Sequence, residues 1–256
     1  KCFHPDTEVL TPLGWVRLSA LPANTPIATP RVSFGGEVTL DWAVPLRRTH
    51  RQYDGRLVHL YNEGIDLLVT PDHRMIGFRK QKTSMLPGEA YECTPSTLGN
   101  ARYWPNAGHL KTTAALPIAP ALLQLIVATQ ADGSYCDKAA AIRFGFTKQR
   151  KIDRLRLLLQ ATKMLYTETT TPLGVQTFYI PAAQGALLRT YLTEKKGFLP
   201  SWITALSSEQ RELFLQEVSF WDGSVNKHWT MRTHVNTNAA SVDIVQAIAT
   251  LAGRKT

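Results

Sequence analysis

A chain of 256 residues, 44% of them hydrophobic, has length for one large domain or two ordinary ones and enough apolar content to bury a core. No run of about 18 apolar residues occurs, and the N-terminus lacks the charged-then-apolar pattern of a signal peptide, which argues against membrane insertion and secretion and makes the cytoplasm the expected compartment. Cys2, Cys93 and Cys136 lie far apart with no CxxC pair, against both a disulfide framework and a cysteine zinc site, and the net charge of +9 hints at a polyanionic partner.

From Cys2 to about Val69, short apolar runs alternate with Pro, Gly and Asn. Glu8-Val-Leu-Thr, Gly14-Trp-Val-Arg-Leu and Leu57-Val-His-Leu-Tyr61 are spaced as an all-β segment would be. Residues 83–116, rich in Thr, Pro, Gly and Asn and without a sustained period, read as irregular structure joining two domains. The pattern then becomes helical. A first helix opens at Pro120 and stops at Asp132-Gly133. A second, Ile152 to Leu165, puts Ile152, Leu155, Leu158 and Leu159 on one face. A third opens at a possible capping box, Ser207-Ser-Glu-Gln210, and ends at Asp222-Gly223. A fourth, Ala239 to Ala252, stops at Gly253. Residues 1–112 carry 13 Lys/Arg against 10 acidic residues and residues 113–256 carry 16 against 10, so the second part is the better DNA-binding candidate.

Two patterns in the β-rich part carry chemistry. Cys2-Phe-His-Pro-Asp-Thr-Glu-Val-Leu-Thr, with Gly14-Trp-Val-Arg-Leu behind it, opens the chain, and Leu68-Val-Thr-Pro-Asp-His73 follows some 70 residues later. A thiol is a strong nucleophile, but turning an amide into a thioester is uphill, so a site must weaken the amide and stabilise the tetrahedral oxyanion. His73 is suited to hydrogen-bond the nitrogen of the Lys1–Cys2 peptide bond and protonate it as it leaves, and Thr70 to offer a hydroxyl to the same bond. Asp72 reads as a turn residue, and His4, His50 and His59 as structural. In these residues the sequence resembles an intein. The resemblance implies a Hint-type (horseshoe) β-fold, Cys2 as splicing nucleophile attacking the preceding carbonyl, a Thr-x-x-His motif promoting that attack, and Lys1 as the last residue of the flanking host protein.

The helical part holds a long-period pair. Leu122 through Ser134 and Leu213 through Ser224 each end a helix in Asp-Gly-Ser, with Asp132 and Asp222 90 residues apart. The pair looks like the two LAGLIDADG motifs of a homing endonuclease. That likeness implies an α/β domain with two motif helices packed side by side over β-sheets, Asp132 and Asp222 meeting at their C-terminal ends as ligands of a divalent cation, Mg2+, and hydrolysis of a double-stranded DNA homing site. Lys196 resembles the basic residue that precedes the second motif, with Lys195 an equal choice. Gln130, Glu217 and Trp221 stand where the motifs favour smaller residues.

The expectation is therefore an α+β chain of two domains: the N-terminal part of a Hint splicing domain over 1–112, and a LAGLIDADG endonuclease domain over 113–256. No His-Asn dipeptide or terminal Asn occurs before Leu251-Ala-Gly-Arg-Lys-Thr256. The reading is accordingly an N-terminal fragment that splices in trans with a C-terminal intein fragment, its endonuclease shortened in the second half and no cofactor needed for splicing. The alternatives are a standalone LAGLIDADG DNA endonuclease and a degenerate, inactive DNA-binding domain.

Overall fold

The structure is a computed structural model that describes residues 2–33, 37–62, 65–80, 87–100, 104–136, 140–225 and 232–255. It is a mixed α+β architecture of several small sheets and, among the described residues, six α-helices. The chain divides into two units, residues 1–112 with 246–256, and residues 113–245.

The first unit is built from antiparallel hairpins. β1 (Glu8–Thr11) pairs with β2 (Gly14–Arg17) through a two-residue loop. Thr11 holds the loop, its hydroxyl donating to the Gly14 carbonyl at 2.8 Å and accepting the Leu13 amide at 3.2 Å. β3 (Ile27–Val32) pairs with β4 (Val38–Ala43), β5 (Val58–Asn62) with β6 (Ile65–Val69), and β7 (Met75–Lys80) with β8 (Pro87–Cys93). β9 (His109–Leu110) adds to β4 in parallel. Among its described residues up to 112, Leu10, Leu21, Leu40, Val69, Phe78, Cys93 and Leu110 are the buried apolar side chains.

Two readings change here. The stretch 83–116 is not irregular throughout: it supplies β8, a 3-10 helix at Pro95–Asn100, and β9. Strand pairing with β7 and β4 orders segments whose composition suggested a linker. The C-terminal residues from Gln246 group with the first unit rather than with 113–245. The Gly108 amide donates to the Thr250 carbonyl at 3.0 Å, His109 bridges Ala252, and Gly253 turns at φ 72° against the His109 ring.

The second unit runs α1 (Pro120–Asp132), β10 (Ser134–Tyr135), β11 (Ile142–Phe146), α2 (Gln149–Ala161), β12 (Thr167–Thr170), β13 (Gln176–Ile180), α3 (Ala182–Arg189), α4 (Trp202–Ala205), α5 (Ser208–Trp221), β14 (Gly223–Val225) and β15 (Arg232–His234). α6 (Ala239–Leu251) begins in it and crosses the boundary at Gln246. The sheet order is β10-β11-β13-β12, all antiparallel. Strict alternation buries Ile142, Phe144, Phe146, Phe178 and Ile180 on one face and leaves Arg143, Gly145 and Tyr179 exposed on the other. Leu155 and Leu159 of α2 are fully buried, each side chain stabilising the unit by roughly 1.5–3 kcal/mol.

α2 starts three residues before the predicted Ile152 and stops at Ala161, because Lys163 turns the chain at φ 55°. The capping box at α5 is complete: the Ser207 hydroxyl accepts the Gln210 amide at 3.2 Å, and the Gln210 side chain accepts the Ser207 amide at 3.2 Å. The same Gln210 side chain both accepts from and donates to the backbone of Leu116, tying in the segment before α1. Among the described residues no helix is long and apolar enough to cross a membrane.

Candidate functional site

Two clusters carry the chemistry-bearing residues, one in each unit. In the first, an isolated bridge between Phe3 and Val69 and a 2.9 Å bond from the His4 amide to the Leu68 carbonyl lay the N-terminus along the end of β6. The next residue of that strand end is Thr70, almost fully buried. The Cys2 amide nitrogen donates to Thr70 Oγ1 at 3.0 Å, and the Thr70 amide donates back to the Cys2 carbonyl at 3.0 Å. Thr70 Oγ1 in turn donates to Asp72 Oδ1 at 2.8 Å, and that bond holds the Asp72 carboxyl below its ordinary range. A hydroxyl has one proton. Since Asp72 takes it, the Thr70 lone pairs are left for Cys2.

His73 stands one turn further on, its amide bonded to the Thr70 carbonyl at 3.0 Å. Its half-buried ring packs on the Phe3 ring at 4.1 Å and lines a cavity of about 580 Å3 with Phe3, Trp15, Met75 and Trp104. The sequence reading gave both His73 and Thr70 to the first peptide bond. In the structure the Cys2 amide donates to Thr70 Oγ1, which lies in register with Cys2, and the His73 ring packs on the next side chain, Phe3. Asp72, read as a turn residue, positions Thr70. Lys1, read as the flanking host residue, lies outside the described residues.

In the second unit α1 packs against α5, and the two helices repeat each other at an interval of 90 residues. Thr129 Oγ1 donates to the Leu125 carbonyl at 2.8 Å, and Ser219 Oγ donates to the Leu215 carbonyl at 2.8 Å. Gly133 and Gly223 follow the two aspartates. A Cβ on Gly133 would lie 2.7 Å from the Thr129 carbonyl oxygen, and one on Gly223 would lie 2.5 Å from that of Ser219. Only glycine lets the chain leave the helix so close to its last turn.

Asp132 and Asp222 thus end paired helices, near enough that the Asp132 charge helps raise the Asp222 carboxyl pKa; burial is the larger cause. Lys151 of α2 reaches Asp132, Nζ to Oδ2 at 2.5 Å, and lies 5.6 Å over the Trp221 ring. Lys196, at φ 59°, donates to the Gly133 carbonyl at 2.5 Å; burial lowers its pKa against the pull of Asp132 and Asp222. Asn236 donates to Asp222 Oδ2 at 3.3 Å. Both ring nitrogens of His234 are buried without a hydrogen-bond partner among the described residues, and burial lowers its pKa while Asp222 opposes the shift. The sequence reading named Asp132, Asp222 and Lys196. It missed Lys151, His234 and Asn236, which come from α2 and from β15 and the residues after it, without a local motif.

The donor set does not make the expected Mg2+ site as it stands. Two carboxylates suit a hard cation, but one Asp132 oxygen holds an ammonium and the neighbouring Gly133 carbonyl holds another. Among the described residues, no group of three or more His, Cys, Asp and Glu is placed to hold a metal ion.

Two of the unusual residues of the paired helices, Glu217 and Trp221, are joined in one network. Glu217, almost fully buried, accepts from Gln124 Nε2 at 3.1 Å, from Trp221 Nε1 at 2.8 Å, and from Arg154 of α2 through both Nε and a terminal nitrogen. A polar network therefore crosses from α1 through α5 to α2 where small residues were expected.

No family model matches the chain, and no curated protein matches it. Among solved structures it is similar to the N-terminal LAGLIDADG domain of DUF199/WhiA, at 10% identity over 52% of this chain and 67% of that one, with a TM-score of 0.36. It is also similar to full-length DUF199/WhiA from Thermatoga maritima, at 10% identity over 53% of this chain and 58% of that one, with a TM-score of 0.25.

Proposed function

We propose that the first unit carries out an N-to-S acyl shift at Cys2, as the N-terminal part of an intein. The observation that carries this reading is the bond from the Cys2 amide nitrogen to Thr70 Oγ1, itself fixed by Asp72. That nitrogen belongs to the peptide bond which the shift breaks. The Cys2 sulfur adds to the carbonyl carbon of residue 1, the C–S bond forms, the C–N bond breaks, and the thiol proton ends on the freed Cys2 amine. His73, packed on the neighbouring Phe3, is the group we assign to carry that proton. The partner we propose is a C-terminal intein segment with the His-Asn step. With a reporter fused ahead of residue 1, added thiol should release it, and mass spectrometry should find the cut before Cys2. Release that persists in Cys2→Ala would sink the assignment.

A second reading concerns the second unit alone, which we infer to bind double-stranded DNA. Its support is the exposed face of the four-stranded sheet, where the registers Ser134↔Arg143↔Tyr179↔Thr167 and Thr177↔Thr169 line up hydrogen-bonding side chains with no carboxylate among them. A β-surface of this kind suits the edges of base pairs, with Arg143 as its cationic anchor. Binding should weaken steeply as salt rises. Affinity for duplex DNA that does not respond to salt between 50 and 200 mM, or no binding at all, would remove this reading.

A further inference from the structure

The LAGLIDADG likeness implies a divalent cation between Asp132 and Asp222. We propose instead that the positive charge of this centre is built into the chain as Lys151 and Lys196, so that the second unit holds DNA without a divalent cation and without hydrolysing it. The DNA clause rests on the second reading above. The exclusion of the cation rests on the side chains alone.

Mg2+ seeks near-octahedral oxygen coordination at about 2.0–2.1 Å. One oxygen of each carboxylate and the carbonyl beside them already accept from a donor: Lys151 Nζ lies 2.5 Å from Asp132 Oδ2, Lys196 Nζ 2.5 Å from the Gly133 carbonyl, and Asn236 Nδ2 3.3 Å from Asp222 Oδ2. Neither lysine is a passing surface charge. The Lys151 side chain is only 12% exposed and sits over two aromatic rings, 5.6 Å from that of Trp221 and 5.9 Å from that of Phe146. Lys196 is fixed by its left-handed backbone ahead of Gly197, which hydrogen-bonds the Thr193 hydroxyl at 2.7 Å. Two carboxylates and two ammonium groups already balance. An arriving dication meets a neutral centre and would have to expel a held lysine.

Mn2+ is the probe, with electron paramagnetic resonance reading the free ion in solutions of the full chain. The wild type should bind no more Mn2+ than a D132N/D222N variant. Lys151→Met, which uncovers Asp132, should bind about tenfold more tightly than wild type, as removal of one unit charge at ion-pair distance implies. Wild-type binding that D132N/D222N loses overturns the proposal, and so does a folded K151M protein that binds no better than wild type. Wild type labelled with [15N]lysine gives a readout that needs no lysine variant. The Nζ signals of Lys151 and Lys196 should keep their widths when Mn2+ is added, and broadening of both would overturn the proposal. Duplex DNA affinity by fluorescence anisotropy should be no higher in Mg2+ than in EDTA at matched ionic strength. A Mg2+ requirement, or nicking abolished by D132N, overturns the proposal. If no DNA is bound in either condition, the reading of the unit as a DNA binder falls and the Mn2+ result alone decides whether the cation is excluded.

Discussion

Thr70 and Cys2 hold each other twice, the Cys2 amide donating to the Thr70 hydroxyl at 3.0 Å and the Thr70 amide donating to the Cys2 carbonyl at 3.0 Å. The pair fixes both position and rotation of the residue whose peptide bond is proposed to break. A single hydrogen bond would leave it free to swing about one axis.

Thr70→Ala should therefore slow thiol-induced release of an N-terminal reporter by about tenfold, the equivalent of one hydrogen bond of net strength near 1.4 kcal/mol. Thr70→Ser keeps the hydroxyl and should recover most of the rate. Equal rates for wild type and Thr70→Ala would remove Thr70 from the site.

Asp72 sets a pH dependence whose sign follows from its depressed pKa. The Thr70-to-carboxylate bond is present above the ordinary value of 3.8 and is lost as pH falls through the lower folded value. The amide proton shift of Cys2 should titrate with a midpoint below 3.8. Asp72→Asn should abolish that titration; an unchanged titration curve would show that some other group is being read.

Glu217 and Arg154 form a charged pair with the carboxylate almost fully buried. Glu217→Ala should destabilise the second unit by about 3 kcal/mol, because Arg154, Gln124 and Trp221 lose their common acceptor. Replacing both Glu217 and Arg154 by Leu should recover most of the loss. Urea denaturation, followed by hydrogen exchange in α1 and α5, measures both; a neutral Glu217→Ala would contradict the network.

Gly223→Ala places a methyl 2.5 Å from the Ser219 carbonyl oxygen, backbone that has little freedom to retreat. A destabilisation of about 1–3 kcal/mol is expected, as for other overpacked sites. Gly133→Ala should behave alike, with its methyl 2.7 Å from the Thr129 oxygen. Thermal unfolding of the two variants checks this, and a neutral result at both positions would argue against the close approach.

Arg143→Ala should weaken duplex DNA binding and reduce the slope of log affinity against log salt by about 1. Anisotropy titrations at several salt concentrations measure the slope. An unchanged slope would move the DNA surface away from this sheet face.

The local sequence determined the punctuation and the paired motifs. Pro120, the Ser207–Gln210 box and Gly253 bound helices close to where they were expected, because caps and turns depend on neighbours a few residues apart. Cys2, Thr70, Asp132 and Asp222 were singled out for the same reason, each standing in a short pattern. What only the tertiary structure decided was who meets whom. β8 and β9 had no period of their own; β8 is ordered by pairing with β7 just before it, and β9 by pairing with β4, far away in sequence. Lys151 arrives at Asp132 from the next helix, 19 residues on. Gln124, Arg154 and Trp221 converge on Glu217 from three helices. Such contacts depend on packing geometry and burial, which no local window contains, and they bring Lys151 onto Asp132 and Lys196 onto the neighbouring Gly133 carbonyl.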